Sequence, residues 1–259
     1  MKTLRYSFLA YGISWLLVLP LVLDGLGITA LELSPLWHGL GALGPVTAAF
    51  LMRRSADPSV RLGDLYRRRG PTHLSRFWTG MVLVSPLLLL GLGLLGVTAF
   101  GGDQDYAGLA DALSSPEWLG SVFVGSVLYG LGEEPGWRGW LLPHLQRHRG
   151  AVTSTLLLTV IWAGWHAPFF AYRFDLGGPV MIVGFFIGLL AGAFWLTFAF
   201  NSTGGNVWVV AVWHVLWNIS NFLAAALSES LVAVLNALMM VLGFGVAVVW
   251  GRKGLTAAG

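Results

Sequence analysis

The chain has no cysteine and little charge. Of its 259 residues only 10% are charged, whereas soluble domains carry about 25%. The absence of cysteine excludes disulfide bridges, thiolate nucleophiles and cysteine metal ligands. So few charged side chains leave too little polar surface for a separate soluble domain, and we predict none.

Long apolar runs take the place of that polar surface. Hydrophobic residues make up 56% of the chain, and several runs are long enough to cross a bilayer as helices. The pattern predicts an all-α polytopic membrane protein with one membrane domain over residues 1–259. We place eight transmembrane helices, enclosing an intramembrane cavity, at residues 6–24, 37–53, 77–99, 118–141, 151–171, 179–200, 206–227 and 231–250.

The distribution of basic residues predicts the orientation. Apart from Arg138 and Arg173, every lysine and arginine lies in or beside the segments that would face the cytoplasm if both termini did. The first apolar run follows Lys2 and Arg5 like a signal peptide, but it lacks a small-residue cleavage site, so we expect a retained helix. Basic residues that flank membrane helices do not indicate nucleic acid binding. Oligomeric state is left open.

The segment 54–76 is the largest predicted cytoplasmic piece and carries an arginine triplet at 67–69. These arginines could determine topology, or they could bind anionic lipid or dock substrate. We favour topology. The outer halves of the helices are predicted to be almost purely apolar.

A few ionisable residues lie at membrane depth, where each costs several kcal/mol and therefore indicates function. Glu133, Glu134 and Arg138 share the fourth predicted helix. Because Glu134 and Arg138 are four residues apart, we predict an ion pair between them. Adjacent helical residues point about 100° apart, so Glu133 should face elsewhere, into a cavity.

The same stretch contains signals for an irregular backbone. Pro135, flanked by Gly132 and Gly136, predicts a break in the fourth helix. Straight helices with the limits above would put Glu133 and His166 at different depths. We therefore expect either a break at Pro135 or a later start of the fifth helix.

Three further polar residues are predicted to lie at membrane depth. They are His166 on the fifth predicted helix and His214 and Asn218 on the seventh. Each alone could be a hydrogen bond between helices and nothing more. Together with Glu133 they could supply acid–base catalysis, metal ligands or oxyanion donors.

The order and spacing of three motifs resemble a known family. Glu133-Glu134-x-x-x-Arg138, an aromatic-x-x-x-His166 and His214-x-x-x-Asn218, on successive apolar segments, are similar to the motifs of CPBP intramembrane proteases, the type II CAAX prenyl endopeptidase-like or Abi family. The resemblance covers about residues 118–222. In that family the second motif usually begins with phenylalanine; Trp162 stands there in this chain, a change that we interpret as conservative.

The resemblance implies an endopeptidase with a cavity reached from the cytoplasm, in an integral protein of a prokaryotic cytoplasmic membrane. It implies that Glu133 activates a water with the help of His166, and that His214 and Asn218 stabilise the oxyanion. Glu134 and Arg138 would support the site.

The requirement for a metal stays open. A glutamate mechanism needs none, but Glu133, His166 and His214 could also ligate zinc, although no His-Glu-x-x-His helix is present.

Partners follow from the same resemblance: the bilayer and a membrane-associated protein or peptide, such as a CAAX-type prenylated protein or a peptide leader. Two alternatives belong to other classes. One is a non-catalytic scaffold or bacteriocin-immunity protein of the same fold. The other is a proton-coupled transporter, which would need polar residues across the whole bilayer.

Overall fold

The computed structural model describes residues 1–67, 76–174 and 178–256, and these are helical, without a β-strand among them. The α-helices within these ranges are α1 (Lys2–Gly25), α2 (Leu43–Arg54), α3 (Arg76–Ala99), α4 (Tyr106–Ser114), α5 (Pro116–Gly136), α6 (Leu142–Gln146), α7 (Ala151–Trp165), α8 (Pro179–Ser202), α9 (Val207–Leu227) and α10 (Glu229–Trp250). Short 3₁₀ segments are Pro35–Ala42, Leu62–Leu65, Ala167–Ala171 and Gly251–Lys253, and a π-helical turn spans Trp137–Leu141.

Each of the eight predicted membrane segments coincides with helix. Among the described residues, five helical stretches are long and apolar enough to cross a membrane: Lys2–Gly25, Arg76–Ala99, Pro179–Ser202, Val207–Leu227 and Glu229–Lys253. The chain is thus an integral membrane protein. The second, fourth and fifth predicted segments are composite, since α2, α5 and α7 are each joined to a 3₁₀ or π-helical piece.

Helix α5 lies at the centre and packs against α2 on one side and α9 on the other. Two glycines permit this close approach. A Cβ atom at Gly130 would lie 2.5 Å from the Ala211 carbonyl oxygen of α9, and one at Gly132 would lie 2.4 Å from that of Ala42, just before α2. Gly132 therefore serves helix packing and does not weaken α5 as predicted.

The predicted break at Pro135 is wrong. Helix α5 continues through Pro135 to Gly136, and the irregularity comes one residue later as the π-helical turn. Proline cannot bond the carbonyl four residues before it, here that of Leu131. The Tyr66 hydroxyl donates a 2.6 Å hydrogen bond to this oxygen, so the helix has no need to unwind.

The predicted difference in membrane depth between Glu133 and His166 is also absent. Helix α7 begins at Ala151 as predicted, but helical structure after α5 extends to Gln146, beyond the predicted end at 141. At ~1.5 Å per residue, Glu133 and His166 then lie ~20 Å and ~22 Å from the nearby ends of their helical segments. The two residues reach similar depth without a break or a late start.

Side-chain donors serve two further carbonyl groups that prolines leave free. Ser85 bonds the Val82 oxygen at 2.8 Å, four residues before Pro86. Ser14 bonds the Gly41 oxygen at 2.6 Å, four residues before Pro45. Lipid offers no hydrogen bonds, so each such carbonyl needs a partner from the protein.

The Tyr66→Phe variant tests the hydrogen bond from Tyr66 to the Leu131 carbonyl, which joins the residues farthest apart in sequence among these three. Burial raises the pKa of the Tyr66 phenol, so the group stays protonated and able to donate at physiological pH. The ring of Tyr66 also stacks on Trp208 at 4.6 Å, a contact that phenylalanine keeps. Loss of the hydroxyl leaves the Leu131 carbonyl unpaired, and we expect a destabilisation of about 1–3 kcal/mol in detergent unfolding.

The matched control is Tyr106→Phe, because Tyr106 is exposed and its hydroxyl bonds the side chain of Gln104, two residues before it. Its stability should not change. Equal stability of the two variants would contradict a structural role for the Tyr66 bond.

Of the segment 54–76, the structure describes residues 54–67 and Arg76. There, Arg53 bonds the carbonyl oxygen of Asp64 at 2.7 Å, and Arg67 pairs with the Asp64 carboxylate on the surface at 3.1 Å. Arg68 and Arg69 of the arginine triplet lie outside the described residues.

Candidate active site

Glu133 lies one helical turn from the end of α5 and is 1% exposed. Its Oε2 atom accepts a 2.8 Å hydrogen bond from the indole N–H of Trp137 and a 2.6 Å bond from that of Trp162. Trp137 is on the adjoining π-helical turn, whereas Trp162 comes from α7. The carboxylate is therefore held in one orientation by two donors from different segments.

Glu134 points to a different side of the helix, as the angle of about 100° between neighbouring helical residues requires. Its Oε1 atom accepts a 2.9 Å bond from Arg138 and a 2.8 Å bond from Nδ1 of His214 on α9. Both members of the Glu134–Arg138 pair are fully buried, and the predicted ion pair is confirmed. The contact with His214 joins α5 to α9, and the buried Glu134–Arg138 pair is costly to break from one side.

His166 directly follows α7, where Pro168 prevents the helix from continuing. Its Nδ1–H donates a 2.8 Å hydrogen bond to the carbonyl oxygen of Trp162. Because a carbonyl only accepts, Nδ1 must carry the proton, and Nε2 of the neutral ring is left as an acceptor. The imidazole is thus held in the tautomer that can take up a proton at Nε2.

Trp162 connects all these groups, and the sequence interpretation missed its importance. The Arg138 guanidinium lies 4.6 Å from the centre of the Trp162 ring, a cation–π contact. The rings of His166 and His214 lie 5.7 Å and 6.4 Å from it. A phenylalanine at this position would lack the N–H that bonds Glu133, so the change is not conservative.

Asn218 lies apart from this cluster. It lines a cavity of about 450 Å³ at the end of the bundle where residues 26–42 and 167–174 meet. His38 bridges two tyrosines in the same cavity, with Nε2 2.5 Å from the Tyr129 hydroxyl and Nδ1 2.6 Å from the Tyr172 hydroxyl. The prediction of almost purely apolar outer halves is therefore wrong at this end.

The residues that could ligate zinc do not fit a metal site. In the part of the chain that the structure describes, no three His, Asp or Glu side chains are grouped closely enough to hold an ion. Both hydrogen bonds that the described residues make to Glu133 go to Oε2, which faces N–H donors. His214 is directed to Glu134 and not to Glu133.

Comparison with known proteins agrees with the geometry. Residues 115–220 match the sequence model of the Rce1-like family, described as type II CAAX prenyl endopeptidase Rce1-like. This part of the chain is thus similar to the CAAX proteases. The matched region runs from the start of α5 into α9 and includes Glu133, His166, His214 and Asn218. No curated protein matches the chain significantly.

The Trp162→Phe variant tests the hydrogen bond that the Trp162 indole donates to Glu133. A hydrogen bond to a charged group is worth about 1.5–3 kcal/mol, so its loss should reduce the kcat of any peptide hydrolysis at this site roughly tenfold or more if the bond orients Glu133 for reaction. The KM should change little. Peptide-cleavage kinetics in detergent would measure both quantities.

Trp213→Phe is the matched control. It removes a 2.8 Å indole bond to Ser85 on α3, away from Glu133, and should lower stability without lowering kcat. Equal kcat losses in the two variants would contradict a specific role for Trp162.

Proposed function

We propose that the chain is an intramembrane endopeptidase that hydrolyses a peptide bond of a membrane-associated substrate. One observation carries this proposal. The carboxylate of Glu133, the imidazole of His166 and the Glu134–His214 pair come from α5, the end of α7 and α9, and all contact or adjoin the indole of Trp162. The family match over 115–220 supports the same reaction class.

In the proposed reaction, Glu133 takes a proton from a water whose oxygen bonds to the carbonyl carbon of the substrate. The two indole bonds to Oε2 support this role, since they fix the carboxylate before the substrate arrives. His166 assists through Nε2, the nitrogen that its bond to Trp162 leaves available. The proton is then passed to the leaving nitrogen as the C–N bond breaks.

His214 and Asn218 are proposed as donors to the oxyanion of the tetrahedral intermediate. They lie one turn apart on the same face of α9. Because Nδ1 of His214 donates to the Glu134 carboxylate, Nε2 can donate to an oxyanion only when the imidazole is doubly protonated, and we propose that His214 acts in this charged form. Glu134 and Arg138 would act indirectly by holding His214 in place.

Three buried polar atoms beside the site support the presence of water. Oε2 of Glu134 and the Nε and Nη2 atoms of Arg138 have no hydrogen-bond partner among the described residues. Buried polar groups in proteins are almost always satisfied, by ordered water where no side chain reaches them. A hydrolytic site needs such water.

We further propose that residues 1–259 form one membrane domain of eight spans in a prokaryotic cytoplasmic membrane. Substrates of the CAAX type or peptide leaders are the proposed classes. The decisive experiment compares membrane-associated peptides from cells that produce the wild type or Glu133→Ala. A set of cleavage products found only with the wild type would support the proposal, whereas identical peptide sets would contradict it.

The absence of cysteine makes the orientation directly testable. Ser55, after α2, and Ser114, at the end of α4, are both exposed, and each hydroxyl bonds only a nearby backbone carbonyl. If both termini are cytoplasmic, an impermeant maleimide should label Ser114→Cys in intact cells. Ser55→Cys should react only after the membrane is permeabilised, and the reverse pattern would overturn the orientation.

The orientation of the protein also determines from which side of the membrane a substrate can reach the site. The family resemblance places access on the cytoplasmic side, and this remains our proposal. The cavity that contains Asn218, however, is at the end of α5 near Ser121, which would face away from the cytoplasm. The labelling experiment therefore also decides which compartment this cavity faces.

A further inference from the structure

Helix α1 is hydrogen-bonded to the end of α7, next to the candidate active site. The last turn of an α-helix leaves carbonyl oxygens without helical partners. At the end of α7, the indole N–H of Trp15 donates a 3.1 Å bond to the carbonyl oxygen of Trp165. One turn earlier, the Tyr11 hydroxyl bonds the Ile161 carbonyl oxygen, and it fits there because Gly164 has no Cβ, which would lie 2.8 Å away. A separate helix thus holds the end of α7.

A third contact between α1 and α7 is made by the Ser14 hydroxyl. Ser14 is fully buried, and its Oγ atom accepts a 2.7 Å bond from the indole N–H of Trp165. The same hydroxyl donates its one proton to the Gly41 carbonyl oxygen at 2.6 Å, so the direction of both bonds is fixed. A Cβ atom at Gly44 would lie 2.0 Å from Ser14 Oγ, so α2 approaches this hydroxyl closely. Ser14 therefore joins α1, α7 and the 3₁₀ segment before α2.

The Trp165 ring contacts two groups of the candidate site. It is fully buried and packs edge to face against the His166 ring at 5.0 Å and the Trp137 ring at 6.0 Å. Trp137 in turn donates one of the two indole bonds that hold Glu133. Because protein interiors are closely packed, a shift of the Trp165 ring displaces both neighbours. The bond to Ser14 prevents such a shift.

A second serine makes the same two bonds at a place that does not adjoin Glu133. The indole N–H of Trp213 donates a 2.8 Å bond to Ser85, whose hydroxyl donates a 2.8 Å bond to the Val82 carbonyl oxygen. This carbonyl, too, is one that a proline leaves free. Within the described ranges, the ring contacts of Trp213 are with two tryptophans of α8 and α9 and not with His166. The chain thus contains its own control for Ser14.

We propose that Ser14 and Trp165 are positioning residues that hold the His166 imidazole and the Trp137 indole in place for peptide hydrolysis. This role rests on the proposed function. Both residues are fully buried, so they act through His166 and Trp137 and not on the substrate itself. The family match begins at residue 115, so α1 supports the site from outside the matched region.

The first test compares Ser14→Ala with Ser85→Ala. Each variant removes a buried hydroxyl that bridges an indole and a carbonyl group, so both should lower stability. Cleavage kinetics are measured in detergent at a temperature at which both variants are folded. Ser14→Ala should lower kcat roughly tenfold or more with little change in KM, because misplaced catalytic groups slow the chemical step. Ser85→Ala should keep the wild-type kcat.

Two outcomes of this comparison would overturn the proposal. One is an equal kcat in Ser14→Ala and Ser85→Ala. The other is a rise in KM of Ser14→Ala without a loss of kcat.

Trp165→Phe keeps the proposal testable if Ser14→Ala does not fold. Phenylalanine retains a ring beside His166, and the bond from Ser14 to the Gly41 carbonyl remains. The variant should lower kcat as Ser14→Ala does, whereas Trp213→Phe should not. Where both variants fold, their combination should lower kcat no further than either alone, because both remove the same hydrogen bond. Effects that multiplied would contradict a shared role.

A measurement without turnover separates this proposal from the proposed function. In protein labelled with ¹⁵N-histidine, the imidazole chemical shifts report which ring nitrogen carries the proton, and His166→Gln identifies the signals of His166. The wild type should show the Nδ1–H form that bonds Trp162. These signals should shift or broaden in Ser14→Ala and stay unchanged in Ser85→Ala.

The two proposals can then fail independently. Displaced His166 signals in Ser14→Ala, together with no cleavage by the wild type, would support the positioning contact and contradict the endopeptidase. Cleavage by the wild type with unchanged His166 signals in Ser14→Ala would do the opposite.

Discussion

Glu133→Gln is expected to abolish peptide hydrolysis while leaving the fold intact. Glutamine has the same shape, and its side-chain oxygen can still accept the bonds from Trp137 and Trp162. Its amide cannot take a proton from water. Loss of a general base typically costs about 10²–10⁴-fold in rate, so kcat should fall at least about 100-fold.

The measurement is cleavage of a membrane peptide by purified variants, with unfolding in detergent as the check on folding. Glu117→Gln is a matched control, since Glu117 is an exposed residue in the first turn of the same helix. It should keep the wild-type rate. If Glu133→Gln cleaved as fast as the wild type, Glu133 could not be the base that activates water.

Arg138→Met is expected to cause the largest loss of stability. It removes the cation from a pair whose two members are both fully buried, and Glu134 is left with His214 alone. Breaking a buried pair from one side costs about 3–5 kcal/mol because the remaining charge is uncompensated. We expect a much lower denaturation midpoint in detergent and little activity.

A double variant separates charge burial from packing. Glu134→Leu combined with Arg138→Met removes both charges, and such replacements of buried pairs are often neutral for stability. The double variant should therefore be more stable than Arg138→Met, yet inactive, since His214 loses its partner Glu134. If the single variant were as stable as the wild type, the pair would not support the site.

Several features of the site could be predicted from local sequence. The Glu134–Arg138 pair follows from a spacing of four residues, and the different directions of Glu133 and Glu134 follow from the helical period. The helical class and the approximate position of each membrane segment follow from apolar runs. These properties depend on a residue and its neighbours in sequence, so they need no tertiary information.

The features that were missed depend on contacts between distant segments. Pro135 does not break α5 because Tyr66, far away in sequence, bonds the carbonyl that the proline releases. The hydrogen bond of Trp162 to Glu133 joins two helices, and neither motif alone indicates it. The same holds for the chain from Tyr129 through His38 to Tyr172, whose members come from three separate segments.

The carbonyl groups released by Pro45, Pro86 and Pro135 also bear on how the protein is made. Their donors are Ser14, Ser85 and Tyr66, and each of these precedes its proline in the chain. Because synthesis runs from the N-terminus, every donor has already been made when the segment with the proline enters the bilayer. At these three prolines, membrane insertion can thus proceed forward without waiting for a partner that is not yet translated.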